Sequence, residues 1–166
     1  ATLTNAGDQI SGGDGTDILA TTSAAFNTFT KAASVGVSNF ETVALADALA
    51  HTLTIANIQA SGISTVSIVG GTGGLVMPAG AMTVATSSSL TGALALTDTG
   101  SGITDSVTLA NTATVADDMG DGNNLTVTGY ETLNISTTAV SDTSQDFGTI
   151  TLTGDDDEDG DPVDTA

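Results

Sequence analysis

The segment Leu94–Leu109, "LALTDTGSGITDSVTL", contains the pattern that decides the fold. One apolar pair, Leu94 and Leu96, is followed by a glycine-rich turn and then by a second pair, Val107 and Leu109. Residues two apart lie on the same face of a β-strand, so each pair predicts a short strand with one buried face. Gly, Asp and Ser favour the tight turn between the pairs. The segment therefore predicts a strand, a turn and a second strand.

The same kind of pair recurs along the chain at steps of 8 to 18 residues. Stretches rich in Gly, Asn and Asp separate the pairs, and β-branched residues are abundant within them, which indicates an all-β protein. The other pairs are Val43/Leu45, Leu53/Ile55, Val66/Ile68, Met82/Val84, Leu125/Val127, Leu133/Ile135 and Ile150/Leu152.

Many short strands at this spacing form either a β-solenoid or a β-sandwich. The strands are short, small residues occupy the turns, and four Phe, one Tyr and no Trp are too few to fill a wide core. We therefore predict an all-β, parallel β-solenoid or β-roll-like domain over residues 1–153, with a β-sandwich as the alternative. Ala20–Ala33 could form a short helix, and Glu41–Ala50 suits a helix or a strand.

Two segments of the chain resemble each other. Val37–Leu45, "VSNFETVAL", and Val127–Ile135, "VTGYETLNI", share an aromatic residue, Glu-Thr and an apolar pair, at an offset of 90 residues. This offset exceeds a solenoid period and indicates two related halves, each begun or closed by the same corner. We expect the aromatic residues to fill the core and the glutamates to face solvent, unless the glutamates cap the backbone or bind calcium.

The composition restricts the partners of the chain. The net charge is −19, from 20 acidic residues against one basic residue, Lys31. Nucleic acid binding is excluded because phosphate requires Lys and Arg, and an anionic membrane surface is excluded for the same reason. The 39% of hydrophobic residues indicates a folded chain, and no apolar run is long enough for membrane insertion. The chain has no cysteine and almost no internal cations, so the carboxylates must be neutralised by metal ions, salt or solvent.

The stretch "GGDGTDILA", Gly12–Ala20, fits a nine-residue calcium-binding pattern of Gly-Gly-x-Gly-x-Asp-x-apolar-x. Glycines allow the tight turn, and Ca²⁺ prefers carboxylate and carbonyl oxygens. Nine residues before Asp17, Asp8 occupies the aspartate position of a degraded repeat, in which Ala6 stands where a glycine belongs.

The stretch "TLTNAGDQISGGDGTDIL" resembles the calcium-binding nonapeptide of the repeats-in-toxin family, and "VSNFETVAL" resembles segments of bacterial surface-layer proteins and large secreted adhesins. The resemblance implies a calcium cofactor and an extracellular, cell-surface location. It also implies that Asp17 and Asp8 are side-chain ligands. Gly12, Asp14 and Gly15 would contribute main-chain oxygens. That family usually has several tandem repeats, whereas this chain has fewer than two, so a calcium-stacked roll along the whole chain is not expected.

Two further acidic stretches are candidates. In residues 154–166, Asp155, Asp157 and Asp159 match the opening of an EF-hand-like loop, but the twelfth position is Ala166 and not Glu. The alternative is an acidic tail or inter-subunit linker. The turn at residues 117–124 contains Asp117, Asp118, Asp121 and Asn123, and a plain acidic corner is the favoured interpretation there.

The sequence offers little for catalysis. His51 is the only histidine, and a hydrolytic triad or a zinc site needs histidine or cysteine in a suitable arrangement. We therefore expect no enzymatic activity. The favoured function is that of an extracellular structural protein, a self-associating subunit or segment of a calcium-dependent surface layer or filament. The alternative is a binding module of a large calcium-dependent secreted adhesin.

Overall fold

The computed structural model describes residues 9–28, 36–114, 118–137 and 145–155. Its strands are β1 (Ile10–Ser11), β2 (Ile18–Thr21), β3 (Val37–Ser38), β4 (Thr42–Leu45), β5 (Thr52–Thr54), β6 (Thr65–Ile68), β7 (Gly71–Met77), β8 (Ala81–Thr86), β9 (Leu90–Asp98), β10 (Ser106–Asn111), β11 (Leu125–Thr128), β12 (Thr132–Thr137) and β13 (Ile150–Thr153). The helical elements are α1 (Ser23–Asn27) and a kinked 3₁₀ segment (Ile55–Ser61). None of the helices in these ranges is long and apolar enough to cross a membrane.

The strands form three parallel sheets. A six-stranded sheet has the order β12-β10-β8-β6-β4-β2, a five-stranded sheet has the order β13-β11-β9-β7-β5, and β1 pairs with β3. From β4 onward, consecutive strands alternate between the two larger sheets, so the chain winds as a β-solenoid of about five turns. The predicted parallel β-solenoid is confirmed, and the strands do not pair in the antiparallel manner of a β-sandwich.

Apolar residues stack in columns along the inside of the solenoid. Parallel pairing places each inward-facing residue directly against its counterpart one turn away. The turns differ in length, since Thr65 pairs with Thr83 but Ser106 pairs with Thr132. One column, in the six-stranded sheet, contains Leu19, Val43, Val66, Val84 and Leu109, and the facing column contains Leu53, Leu75, Leu96 and Val127; all of these are buried.

The two ends of the solenoid differ. At the first turn, α1 contacts β5 and its Phe26 is buried, while the N-cap residue Thr22 accepts a hydrogen bond from the amide of Ala25. At the last turn the inner columns continue into β12 and β13, but their residues are exposed. Ile135 is 40% exposed and Leu152 is 46% exposed. In the described part of the chain, the core is therefore covered at the first turn and exposed at the last one.

Candidate metal centres

The predicted calcium turn lies at a corner where the chain enters the six-stranded sheet. Asp17 directly precedes β2, and Glu41 directly precedes the neighbouring strand β4. The amide of Asp17 donates to Glu41 Oε2 at 2.7 Å, and the amides of Glu41 and Thr42 donate to the Asp17 carbonyl at 3.2 Å each. Glu41 therefore caps a backbone amide of the preceding turn. We call Gly12, Asp17, Phe40 and Glu41 the N-terminal corner.

The structure brings two of the predicted ligands together. A Cβ added to Gly12 would lie 2.5 Å from Asp17 Cβ, so only glycine allows the turn to pack against this side chain. Asp17 Oδ2 is buried and has no hydrogen-bond partner. An orphaned carboxylate oxygen beside a glycine turn fits a bound cation. Asp14 and Gly15 lie in the exposed part of the turn, and Gly15 has a φ of 124°.

Three of the predicted ligands lie outside the described residues, namely Asp8, Asp157 and Asp159. Asp155, the first residue of the EF-hand-like match, lies two residues after the end of β13, the strand at the opposite edge of the five-stranded sheet from β5. It thus lies far along the solenoid from the nonapeptide turn, and belongs to a second acidic corner.

This second corner, which we call the C-terminal corner, consists of Asp98, Asp105, Tyr130, Glu131 and Asp155. Asp98 ends β9, and Asp105 directly precedes β10. Tyr130 and Glu131 join β11 to β12, and Asp155 lies just after β13. Three successive turns of the solenoid therefore contribute acidic residues to one corner, although these residues are up to 57 positions apart in the sequence.

The C-terminal corner repeats the hydrogen bonds of the N-terminal corner. The amide of Asp105 donates to Glu131 Oε2 at 2.6 Å, and the amides of Glu131 and Thr132 donate to the Asp105 carbonyl at 3.1 and 3.3 Å. One further bond is added, because the amide of Asp155 donates to Glu131 Oε1 at 3.3 Å. The carboxylate of Glu131 thus joins the backbones of the turns before and after it.

Several polar atoms of the C-terminal corner are buried without partners. Asp98 is 8% exposed, Asp105 is 7% exposed, and Tyr130 is fully buried. The Oδ2 atoms of Asp98, Asp105 and Asp155 and the hydroxyl of Tyr130 have no hydrogen-bond partner. Buried polar atoms are normally paired, because a buried carboxylate without compensation costs several kcal/mol. The corner is therefore an unusual concentration of uncompensated acidic groups.

Burial raises the pKa of Asp98 to about 6. The amide of Gly100 donates to Asp98 Oδ1 and lowers this pKa, whereas the neighbouring carboxyl group of Asp105 raises it. The pKa of Tyr130 is also raised, by burial first and then by the negative charges of Asp98 and Asp105. The negative charges of the two aspartates therefore act on each other and on the tyrosine hydroxyl.

Glycines shape the backbone around these carboxylates. A Cβ added to Gly102 would lie 2.6 Å from Asp105 Oδ2. One added to Gly129, whose φ is 80°, would lie 3.1 Å from Asp98 Cβ and 3.5 Å from Asp155 Oδ1. Asp98 and Asp155 therefore flank the same glycine. Within the described ranges, no group of three or more acidic, histidine or cysteine side chains already has an arrangement that could hold a metal ion.

The third acidic stretch forms an ordinary hydrogen-bonded corner where the structure describes it. Asp118 Oδ1 accepts hydrogen bonds from the amides of Gly120, at 3.1 Å, and Asp146, at 2.8 Å. The amide group of Asn123 donates to the Leu90 carbonyl at 2.9 Å. These hydrogen bonds connect the corner to the residues around Leu90 and Asp146. Asp117, the first residue of the candidate, lies outside the described residues.

Phe40 and Tyr130 are buried, as predicted from the sequence. Glu41 and Glu131 were expected to face solvent, with capping or calcium binding as the alternative, and both in fact accept hydrogen bonds from backbone amides as caps do. Asp98 and Asp105 were not predicted as ligands. The available signal was the stretch from Asp98 to Asp105, which combines glycines with aspartates as the nonapeptide does but without its spacing.

No protein-family model matches the chain, and neither the curated proteins nor the solved structures contain a match to it.

Proposed function

We propose that this chain is a structural segment of the cell exterior, a calcium-dependent β-solenoid that associates with further copies of itself in a surface layer or filament. The observation that carries the proposal is the open last turn of the solenoid. Ile135, Ile150 and Leu152 occupy positions that are buried in the preceding turns, yet each is at least 40% exposed. Among the described strands, none pairs with the outer edges of β12 and β13.

A second copy of the chain is a suitable occupant of this end. Each internal turn is covered by another parallel turn in register, so a further pair of parallel strands would extend both sheets and both inner columns. The net charge of −19 opposes the approach of two copies until cations screen or bridge the carboxylates. Association is therefore expected to depend on calcium.

The calcium part of the proposal is supported at the N-terminal corner. The nonapeptide fits the calcium-binding pattern, and the structure places Gly12 against Asp17, whose Oδ2 has no partner. The extracellular location follows from the resemblance to repeats-in-toxin and surface-layer proteins. The chain has no cysteine, and bound calcium would provide the cross-links that disulfides provide in other exported proteins.

The test is assembly of the full chain in calcium and in chelator, followed by light scattering and negative-stain electron microscopy. We expect sheets or fibres in calcium. Leu152→Asn should reduce assembly, because it removes an apolar group from the open end. Val69→Asn is the matched control, since Val69 is 40% exposed but lies between β6 and β7, away from the last turn. Equal assembly of the two variants, or a wild-type chain that stays monomeric in calcium, would contradict the proposal.

A further inference from the structure

The residues that the structure describes include no lysine or arginine that could neutralise the carboxylates of the C-terminal corner. Asp98 and Asp105 are both more than nine-tenths buried, and each has an Oδ2 atom without a partner. The chain contains one basic residue besides a single histidine, against 20 acidic ones. Desolvating two neighbouring carboxylates without a counter-charge is unfavourable because burial and mutual repulsion act in the same direction. Either a proton or a cation from solution must compensate them.

A shared proton is the simpler compensation, but it can join only two of the three carboxylates. A hydrogen bond between the carboxyl groups of Asp98 and Asp105 would leave Oδ2 of Asp155 without a partner. A cation can serve all three carboxylates at once.

We propose that the C-terminal corner binds one divalent cation of the size of Ca²⁺ through Asp98 and Asp105, with Asp155 as the third carboxylate. All three carboxylates have an unpartnered Oδ2 atom, and Asp98 and Asp155 flank Gly129. The site does not belong to the nonapeptide turn, which lies at the other end of the six-stranded sheet. It also does not depend on the proposed assembly.

The chemistry of the corner favours calcium over other metals. The acidic ligands are all oxygen donors, and the corner contains no histidine or cysteine, the ligands that zinc prefers. Calcium accepts irregular sites in which backbone carbonyls and water complete the coordination, so it does not require three carboxylates in a fixed geometry. Magnesium demands near-ideal octahedral geometry and retains its water, and is therefore the weaker candidate.

Glu131 is a positioning residue for this cation. Both of its carboxylate oxygens accept backbone amides, from Asp105 and from Asp155, and these bonds hold two of the ligand-bearing turns together. The cation would then connect the loop after β9 with the residue that follows β13. It would act across three turns of the solenoid in the way that a disulfide connects distant parts of a chain.

Tyr130 provides a direct test, because it is the only tyrosine in a chain without tryptophan. Terbium(III) replaces calcium in oxygen sites, and its emission is enhanced when a nearby aromatic ring absorbs light and transfers the energy. Asp17 lies five strands away in the six-stranded sheet, roughly 24 Å at the usual spacing between strands. Because this transfer falls steeply with distance, an ion at the nonapeptide should give little signal. Tyrosine-sensitised emission therefore reports the C-terminal corner.

The experiment titrates the full chain with Tb³⁺ and then displaces it with Ca²⁺, with Mg²⁺ in a parallel sample. We expect sensitised emission that Ca²⁺ removes at lower concentration than Mg²⁺. Asp98→Asn and Asp105→Asn should abolish it, while Asp17→Asn should retain it. Glu131→Gln should weaken binding about 10–100-fold, as expected for a residue that orients ligands. Circular dichroism in chelator checks that each variant is folded.

Calorimetry provides a readout that does not depend on emission. Tyr130→Phe removes the chromophore but no carboxylate, so it should lose the emission and retain calcium binding at the C-terminal corner. Emission that survives in Asp98→Asn and Asp105→Asn, or that is lost in Asp17→Asn alone, would overturn the proposed site. So would the absence of sensitised emission from the folded wild-type chain at saturating Tb³⁺. A wild-type chain that gives the emission but does not assemble would contradict only the proposed function.

Discussion

The N-terminal and C-terminal corners hold a glutamate in the same way but bury their aspartates to different extents. In each corner a glutamate accepts the amide of an aspartate one turn earlier, at 2.7 Å for Glu41 and at 2.6 Å for Glu131. Asp17 is only partly buried, whereas Asp105 is 7% exposed and adjoins a second buried aspartate, Asp98. The same backbone arrangement can therefore hold either one partly buried aspartate or a cluster of buried acidic residues, depending on the neighbouring turns.

The difference arises from stacking along the solenoid. The N-terminal corner lies at the edge strand β2, with described strand neighbours on one side only. The C-terminal corner is covered by the loop after β9 and by the residue after β13, which bring in Asp98 and Asp155. Its electrostatics therefore depend on three turns at once, and this dependence can be tested.

The largest expected effect concerns pH in the absence of calcium. Folding raises the pKa of Asp98 from 3.8 to about 6, so the folded chain binds this proton more tightly than the unfolded chain. The resulting stabilisation is full below pH 3.8 and is lost as the pH rises through 6; it amounts to at most about 3 kcal/mol. In chelator, the free energy of unfolding of the wild type should therefore increase relative to that of Asp98→Asn as the pH falls from 7 to 4.5. Urea denaturation at each pH measures it, and parallel pH profiles would show that Asp98 is not perturbed.

A smaller effect separates the two glutamates. Glutamine keeps one carbonyl oxygen, so Glu41→Gln can still accept its single amide, whereas Glu131→Gln can accept only one of its two. The amide that loses its acceptor costs about 1–3 kcal/mol. Chemical denaturation in chelator at high salt, which screens the change in charge, should therefore show a larger loss for Glu131→Gln. A larger loss for Glu41→Gln would contradict the bridging role of Glu131.

The smallest effect concerns the glycine between Asp98 and Asp155. Gly129 and Gly122 have φ values of 80° and 72°, so alanine costs about 1–2 kcal/mol of backbone strain at either position. A Cβ at Gly129 would also lie 3.1 Å from Asp98 Cβ, whereas no atom lies within 4 Å of one at Gly122. Gly129→Ala should therefore have the lower melting temperature. Equal melting temperatures would mean that Asp98 is not packed against this turn.

The sequence was sufficient to predict the solenoid because its strands are defined by local alternation. Pairs such as Val107/Leu109 place two residues on one face of a strand through local sequence alone. The pairs from Val43/Leu45 to Leu125/Val127 are buried in the core, whereas those of the last turn are largely exposed. The stacking order was harder to predict because the turns differ in length. The turn from Thr65 to its partner Thr83 is shorter than the turn from Ser106 to its partner Thr132. The two similar segments, Val37–Leu45 and Val127–Ile135, lead into β4 and β12, which lie four strand positions apart in the six-stranded sheet. They therefore form the same type of corner in two different turns of the solenoid.

The nonapeptide was found because all of its residues are adjacent in the sequence. The C-terminal corner has no such local motif. Asp98, Asp105 and Asp155 meet only after three turns of unequal length have stacked, and the burial of Asp98 depends on the turns around it. A local sequence motif can therefore predict a site formed within one turn, but it cannot predict a site formed by residues from several turns.

Thermal unfolding of the full chain, in calcium and in chelator at matched ionic strength, tests the central claim that the corner carboxylates require a cation. A site at 100 times its dissociation constant adds about 2.7 kcal/mol, which corresponds to an increase in melting temperature of roughly 5–10 °C for a chain of this size. We predict at least this increase in calcium, with a smaller increase in magnesium. Superimposable melting curves in calcium and chelator would contradict the account.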